Sequence, residues 1–253
     1  MEFVKVEGLG NDFLVFDGPF EPDPADVVAW CDRRRGVGGD GVLVIESLDE
    51  GTVKMRYWNA DGGEAEMCGN GLRCVARLAY ERGWVSRGDF IVRTAVGDHP
   101  VVVYDDVVHA FVGTPSRYRT ETLEIDGVFV HPLSIGNPHA VIFVDTVADV
   151  EIERIGPLVE TDPLFPDRTN VEFVEIVENG IRARIWERGV GETPASGTGA
   201  TAAAYMAHAV HGVNAPVRVE LAGGFLTVSF DDAGAWMDGP AEIVFRGSIE
   251  SVS

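Results

Sequence analysis

The chain has 253 residues, with 41 Asp or Glu against 20 Lys or Arg, a net charge of −21 and an isoelectric point of about 4.5. That balance excludes a duplex DNA binder, which needs a cationic footprint, and an anionic membrane surface would repel it as well. With 45% hydrophobic and 24% charged residues it is not a disordered chain, and its length suits one large domain or two small ones.

The first residues, 3–6, alternate like a strand and carry no basic or apolar leader, so no signal peptide is expected. No run reaches the roughly 20 apolar residues that a spanning helix needs. Further strand-like runs fall at 13–17, 42–46, 53–58, 90–93 and 101–104, then at 140–145, 171–177, 181–186, 217–221 and 225–230. A helix is expected over 24–34, with Asp23 as N-cap, Pro24 at the first helical position and Gly36 past its end. Two more are expected over 71–82 and 199–210, each opening directly after a glycine turn. Lys5 and Lys54 are the only lysines. An acidic, lysine-poor composition points to a salt-adapted, cytoplasmic protein. The three cysteines, Cys31, Cys68 and Cys74, are too few and too unevenly spaced for a disulfide framework or a structural zinc site. The histidine spacing suggests no metal.

The chain repeats itself. A shift of 128 lays Arg56, Trp58, Gly63, Glu64, Gly69, Gly71, Ala76 and Ala79 on Arg184, Trp186, Gly191, Glu192, Gly197, Gly199, Ala204 and Ala207. A shift of 126 lays Gly10-Asn11 on Gly136-Asn137. A period near half the chain means two similar halves, not a solenoid. The expected fold is therefore α/β (α+β): two pseudo-symmetric halves, each a mainly antiparallel sheet or barrel around a central helix. The boundary is expected within 113–122, giving halves 1–115 and 116–240, the first completed by a strand near 241–253.

Cys68-Gly69-Asn70-Gly71 and Ser196-Gly197-Thr198-Gly199 occupy equivalent helix starts. Such a start offers unpaired N–H groups and positive potential, which hold an anion and lower the pKa of a cysteine placed there. Two-fold related halves would set these motifs face to face across a cleft, a geometry for moving a proton through a planar intermediate without a cofactor. Cys31 and Cys74 lie within helical patterns and read as small core residues, and Trp58 and Trp186 also read as core. Gly36-Val37-Gly38-Gly39-Asp40-Gly41 spells a dinucleotide fingerprint, but a helix precedes it and a strand follows, the reverse of what that fold requires. Both lysines sit in strand-like runs, which leaves no Schiff-base lysine for pyridoxal chemistry.

Taken with Gly8-Leu9-Gly10-Asn11-Asp12-Phe13, Asn59-Ala60-Asp61-Gly62, Met67-Cys68-Gly69-Asn70-Gly71, Gly136-Asn137-Pro138-His139, Asn170-Val171-Glu172 and Glu187-Arg188-Gly189, the chain resembles the diaminopimelate epimerases from about residue 3 to 247. The resemblance implies cofactor-independent conversion of LL- to meso-diaminopimelate in lysine biosynthesis, by two-base proton transfer. It assigns Cys68 as one catalytic thiol, with His139 and Glu187 flanking the reacting centre. It gives substrate contacts to Asn11, Asn59, Gly69, Asn70, Asn137, Asn170, Glu187, Arg188, Gly197 and Thr198. Amides both donate and accept, and Arg pairs a carboxylate bidentately, so the set suits a zwitterion with two amino-acid ends. The family's second cysteine is replaced here by Ser196, so weakened epimerisation is expected. At Gly41, where some relatives carry a glutamine, contacts would come from backbone or water. Two other readings stay open: an epimerase of another amino acid, such as a proline derivative, and a non-catalytic amino-acid-binding module. A small-molecule substrate is the expected partner, and exposed strand edges permit a homodimer.

Overall fold

The structure is a computed structural model and describes residues 1–85, 89–117, 119 and 121–250. Tyr118 and Thr120 of the expected boundary segment, and residues 251–253 of the expected closing strand, lie outside the described residues. The chain divides into two compact units, Met1–Ala110 with Gly239–Ser253, and Phe111–Asp238.

In the first unit, β1 (Glu2–Gly8) pairs antiparallel with β2 (Asn11–Asp17), and β2 runs parallel to β3 (Gly41–Asp49). Then β4 (Thr52–Asn59) pairs antiparallel with β3 and with the short β5 (Glu64–Ala65), and parallel with β6 (Phe90–Thr94). β7 (Gly97–Val103) and β8 (Val108–Gly113) continue the sheet antiparallel. The second unit has the same wiring. β9 (Leu123–Ile125) pairs with β10 (Val128–Ser134), and β10 pairs antiparallel with β11 (Pro138–Phe143), which runs parallel to β12 (Asn170–Val177). β13 (Gly180–Glu187) joins β12 and the short β14 (Gly191–Thr193) antiparallel and β15 (Val217–Leu221) parallel. β16 (Gly224–Phe230) and β17 (Ala235–Gly239) close that series. The last strand, β18 (Glu242–Ser248), pairs with β1 in the first unit, the place that β9 takes beside β10 in the second.

The repeat seen in the sequence is thus a repeat of topology, and it extends to ion pairs. Arg56 grips both oxygens of Glu64 at 2.8 and 3.0 Å, and Arg184 grips Glu192 at 2.7 and 2.9 Å. Helices α1 (Pro24–Cys31) and α2 (Gly69–Glu81) belong to the first unit, α3 (Ile152–Glu160) and α4 (Gly197–His211) to the second. Helix α2 buries Leu72, Cys74, Val75, Leu78 and Ala79 among Phe13, Leu43, Ile45, Val53, Val92 and Val101. Helix α4 buries a run of alanines, Ala200, Ala202, Ala203, Ala204 and Ala207. Gly199 lets it approach β13 and β12: a Cβ there would meet Ile185 at 3.0 Å and the Glu172 carboxylate at 3.2 Å. Among the described residues no helix is long and apolar enough to cross a membrane.

The helix bounds differ from expectation for identifiable reasons. Helix α1 stops at Cys31, not near residue 34, because the Asp32 carboxylate captures the N–H groups of Arg34 and Arg35 at 2.7 and 2.8 Å. The chain then folds back, and the N–H groups of Val37 and Gly38 donate to Trp30 O. Gly36 is required at that turn, since a Cβ would lie 2.1 Å from Ala29 O. Helices α2 and α4 start two residues early, so Cys68 and Ser196 are themselves the N-caps. Helix α3, with Pro157 inside it, was not among the expected helices. Gly156 lets the helix lie on Trp186, where a Cβ would come within 2.6 Å of the ring. Each unit therefore has a second helix beside its central one.

Leu78 is fully buried in the first core, and Phe129 is 64% exposed. Leu78→Ala should lower unfolding free energy by about 2–5 kcal/mol in urea titrations, while Phe129→Ala should leave the midpoint nearly unchanged.

Candidate active site

Both N-caps adopt one extended geometry, Cys68 at φ −139°, ψ 115° and Ser196 at φ −138°, ψ 124°. The Cys68 sulfur accepts from Gly71 N–H at 3.4 Å, and the Ser196 hydroxyl accepts from Gly199 N–H at 3.3 Å. Each reactive atom is thereby held in the field of its own helix.

In the first unit Asn11 comes to the thiol. Its Oδ1 lies 3.9 Å from Cys68 Sγ and accepts from Asn70 Nδ2 at 3.1 Å. Its Nδ2 donates to Asp40 Oδ2 at 2.8 Å, which also accepts Asp12 N–H at 3.0 Å. Arg33 bridges Asp12 and Asp40, and buried Lys5 pairs with Asp12 at 2.5 Å. Burial pushes the Asp12 carboxyl up, but hydrogen bonds from Arg33 and Lys5 outweigh this and hold it below the ordinary carboxylate range. Lys5 is therefore committed to an ion pair. Gly69 opens α2, with its backbone in the first turn. Asn59 lies opposite Gly41 at the end of β4, in the turn that closes on Gly62 and Gly63. Gly41 has no room for a larger side chain, since a Cβ would lie 2.4 Å from Trp58 O.

In the second unit His139 is fully buried, with Nδ1 2.6 Å from Glu172 Oε1 and Nε2 2.9 Å from Asn137 Oδ1. Burial pushes the Glu187 carboxyl above its ordinary value. The Thr193 hydroxyl, donating at 2.7 Å, and the Ser196 hydroxyl pull it partly back, as does His139. Asn170 is used at both ends: Nδ2 donates to Pro138 O at 2.9 Å and Oδ1 accepts Arg188 N–H at 3.0 Å. It braces two backbones, one leading to His139 and one carrying the exposed Arg188. The Arg188 guanidinium donates to Asp167 O at 3.1 Å through Nη1. Gly197 opens α4, with its carbonyl taken by the Thr201 hydroxyl, and Thr198 is half-buried beside it.

Sequence reasoning missed Asp40, Glu172 and Glu160. Glu160 accepts Gly189 N–H at 2.9 Å and Trp186 Nε1–H at 2.7 Å, and so anchors the Arg188 turn from α3. The available signal for Glu172 was an acidic residue within an otherwise apolar stretch of β12, Val171 to Val174. Among the described residues no cluster of His, Cys, Asp or Glu has a metal-ligand arrangement.

The family model described as "Diaminopimelate epimerase" matches residues 3–117 and 132–244. The chain is 41% identical over 271 residues to the diaminopimelate epimerase of Carboxydothermus hydrogenoformans, covering 98% of each chain. It is equally identical over 274 residues to that of Desulforudis audaxviator, again with 98% coverage of both. The chain belongs to the diaminopimelate epimerase family. A probable proline racemase from Agrobacterium radiobacter shares the fold at a TM-score of 0.75 with 14% identity, over 98% of this chain and 92% of that one.

The three thiols are unequal in this family member. Cys68 is half-buried, whereas Cys31 and Cys74 are buried core residues, as expected. Burial pushes the Cys31 thiol up to about 11 and raises that of Cys74 as well. Iodoacetamide should therefore alkylate Cys68 alone in the native protein, and all three thiols after denaturation, as read by peptide mass spectrometry.

Proposed function

We propose that this chain interconverts LL- and meso-diaminopimelate by cofactor-independent proton transfer at the α-carbon. The observation that carries the reading is the Cys68 sulfur at the α2 N-cap. There it meets the Gly71 N–H and lies beside the Asn11 amide oxygen. A thiolate so placed removes the α-proton of one stereoisomer, and the carbanion flattens. Epimerisation requires that a proton then arrive on the opposite face. That role falls to residue 196.

Ser196 keeps the cap but changes the acid. Its hydroxyl is far less acidic than a thiol, so it needs a partner to take or supply its proton. Glu187 is that partner. Its carboxyl is raised by desolvation, which makes it a stronger base than an ordinary glutamate, and the Ser196 hydroxyl faces it. Arg188, together with Asn11, Asn59, Asn70, Asn137 and Asn170, serves the charged ends of the substrate, directly or through the turns they brace. Gly69, Gly197 and Thr198 supply backbone donors at the two helix starts. His139 assists from within the second unit. The enzyme acts in the cytoplasm, in lysine biosynthesis, as a weakened epimerase whose Cys68 side still exchanges protons.

Proton NMR of LL-diaminopimelate in D2O tests this. The α-proton signal of one stereoisomer should fall through Cys68, while formation of the other should be slow. Ser196→Cys should raise epimerisation about 10²-fold or more, and Cys68→Ala should abolish both exchange and epimerisation. If Ser196→Cys gives no increase, the two-base reading of this chain is wrong. Binding of diaminopimelate with no exchange would instead mark an amino-acid-binding module.

A further inference from the structure

The equivalent asparagines Asn11 and Asn137 are held in opposite senses. Asn11 donates through Nδ2 to Asp40, so its oxygen faces Asn70 and the thiol. Asn137 has its oxygen on His139 Nε2, and among the described residues nothing accepts from its Nδ2. The side chain is only half-buried, so that NH2 group is available to a ligand.

The cause lies one residue further in. An amide oxygen only accepts, so Nε2 of His139 must carry a proton. Nδ1 meets Glu172 Oε1 at 2.6 Å, with both side chains fully buried. Either the ring is an imidazolium donating to a carboxylate, or it is neutral and accepts from a carboxylic acid. In both cases one proton lies between Nδ1 and Oε1, and neither ring nitrogen remains to act as a base. His139 is the side chain that Glu172 bonds, the backbone N–H groups of Ala140 and of Glu172 itself also bear on the carboxylate, and its Oε2 has no hydrogen-bond partner among the described residues. Desolvation pushes its carboxyl up, and His139 with the backbone N–H groups of Ala140 and Glu172 pulls it only partly back.

We propose that Glu172 is a positioning residue that acts through His139 to lock the Asn137 amide with its NH2 toward the substrate, where it donates to a carboxylate. The two halves then offer complementary groups from one residue type. Asn11 presents an acceptor to the thiol proton, and Asn137 presents a donor to an anion. Without the Glu172–His139 pair the Asn137 amide is free to flip and present its oxygen to the carboxylate, which repels it. This inference rests on the amino-acid substrate proposed above.

The test has a ligand-free arm and a binding arm. In protein labelled with ¹⁵N-histidine, His139 should show a protonated Nε2 and a downfield, exchange-protected proton on the Nδ1–Glu172 line. Glu172→Leu should abolish the latter, and Glu172→Asp should restore it in part. Isothermal titration with LL-diaminopimelate should show Kd rising about 10-fold to 100-fold in Glu172→Leu, the cost of one hydrogen bond to a charged group, with recovery in Glu172→Asp. Asn137→Asp should weaken binding at least as much while leaving the His139 signals in place. It carries the test should Glu172→Leu fail to fold. An unprotonated Nε2 in the native protein, unchanged Kd in a folded Glu172→Leu, or unchanged Kd in Asn137→Asp would overturn the proposal. If the native protein binds no diaminopimelate, the substrate reading fails, and the NMR arm still decides whether Glu172 holds the ring.

Discussion

The hydrogen bond from the third backbone N–H of a helix to its N-cap side chain is the constraint on which the rest of this molecule depends. It occurs twice, at Cys68 and at Ser196, with nearly the same length and backbone angles. In both places the capping atom is the one to which the proposed reaction assigns the proton transfer. The cap fixes where that atom sits, and the helix behind it is buried as the centre of a unit, so the atom cannot drift. Serine is a stronger N-cap than cysteine on general grounds. The residue at 196 therefore keeps the cap while presenting a less acidic group than a thiol.

The acceptor role of the cap also explains what surrounds it. A helix start can supply N–H donors but nothing that accepts. The acceptors come from elsewhere: the Asn11 oxygen beside Cys68, and the Glu187 carboxylate beside Ser196. The first is neutral and is steered by Asp40 from outside. The second is itself ionisable and is displaced upward by burial. A neutral acceptor suits a thiol, which ionises readily at a helix start. A carboxylate of raised basicity suits a hydroxyl, which does not. The two halves share topology to the strand, yet differ in the acceptor that each places beside its cap.

Much of this was legible in the sequence because the repeat is a repeat of caps and glycines, and those residues have few alternatives. Gly71 and Gly199 repeat because they lie in the first turn of helices that pack tightly, a Cβ on either meeting a side chain within 3.2 Å. Arg56 with Glu64, and Arg184 with Glu192, repeat because each pair spans the hairpin before a cap. What was not legible depends on contacts between distant segments. Asp40 reads as one acid in a glycine loop until β2 and β3 pair in parallel and bring it to Asn11. Glu172 reads as part of a motif, and only the pairing of β11 with β12 puts it under His139. That Asn170 braces the backbones of Pro138 and Arg188 through the two ends of its amide also depends on contacts between distant segments. Helix α3 was not read from the sequence, and the reason for Gly156 within it becomes visible only with Trp186 against it.

The charge of −21 can be placed more narrowly through Lys5. Around Asn11 the structure gathers Lys5, Arg33, Asp12 and Asp40, two positive charges and two negative. An uncompensated carboxylate here would oppose ionisation of Cys68, since like charges disfavour each other's charged form. Each carboxylate of this cluster is paired with a cation. In a chain whose other basic residues except Lys54 are arginine, the buried position beside Asp12 is nevertheless a lysine. Space accounts for this. The ammonium donates to Gly38 O, and a Cβ on Gly39 would come within 3.1 Å of the same nitrogen. The absence of a side chain at Gly39 leaves the ammonium its place, and as a compact charge it serves both the Gly38 carbonyl and the Asp12 carboxylate. The lysine scarcity of the surface stops where the geometry behind Asn11 demands a compact charge.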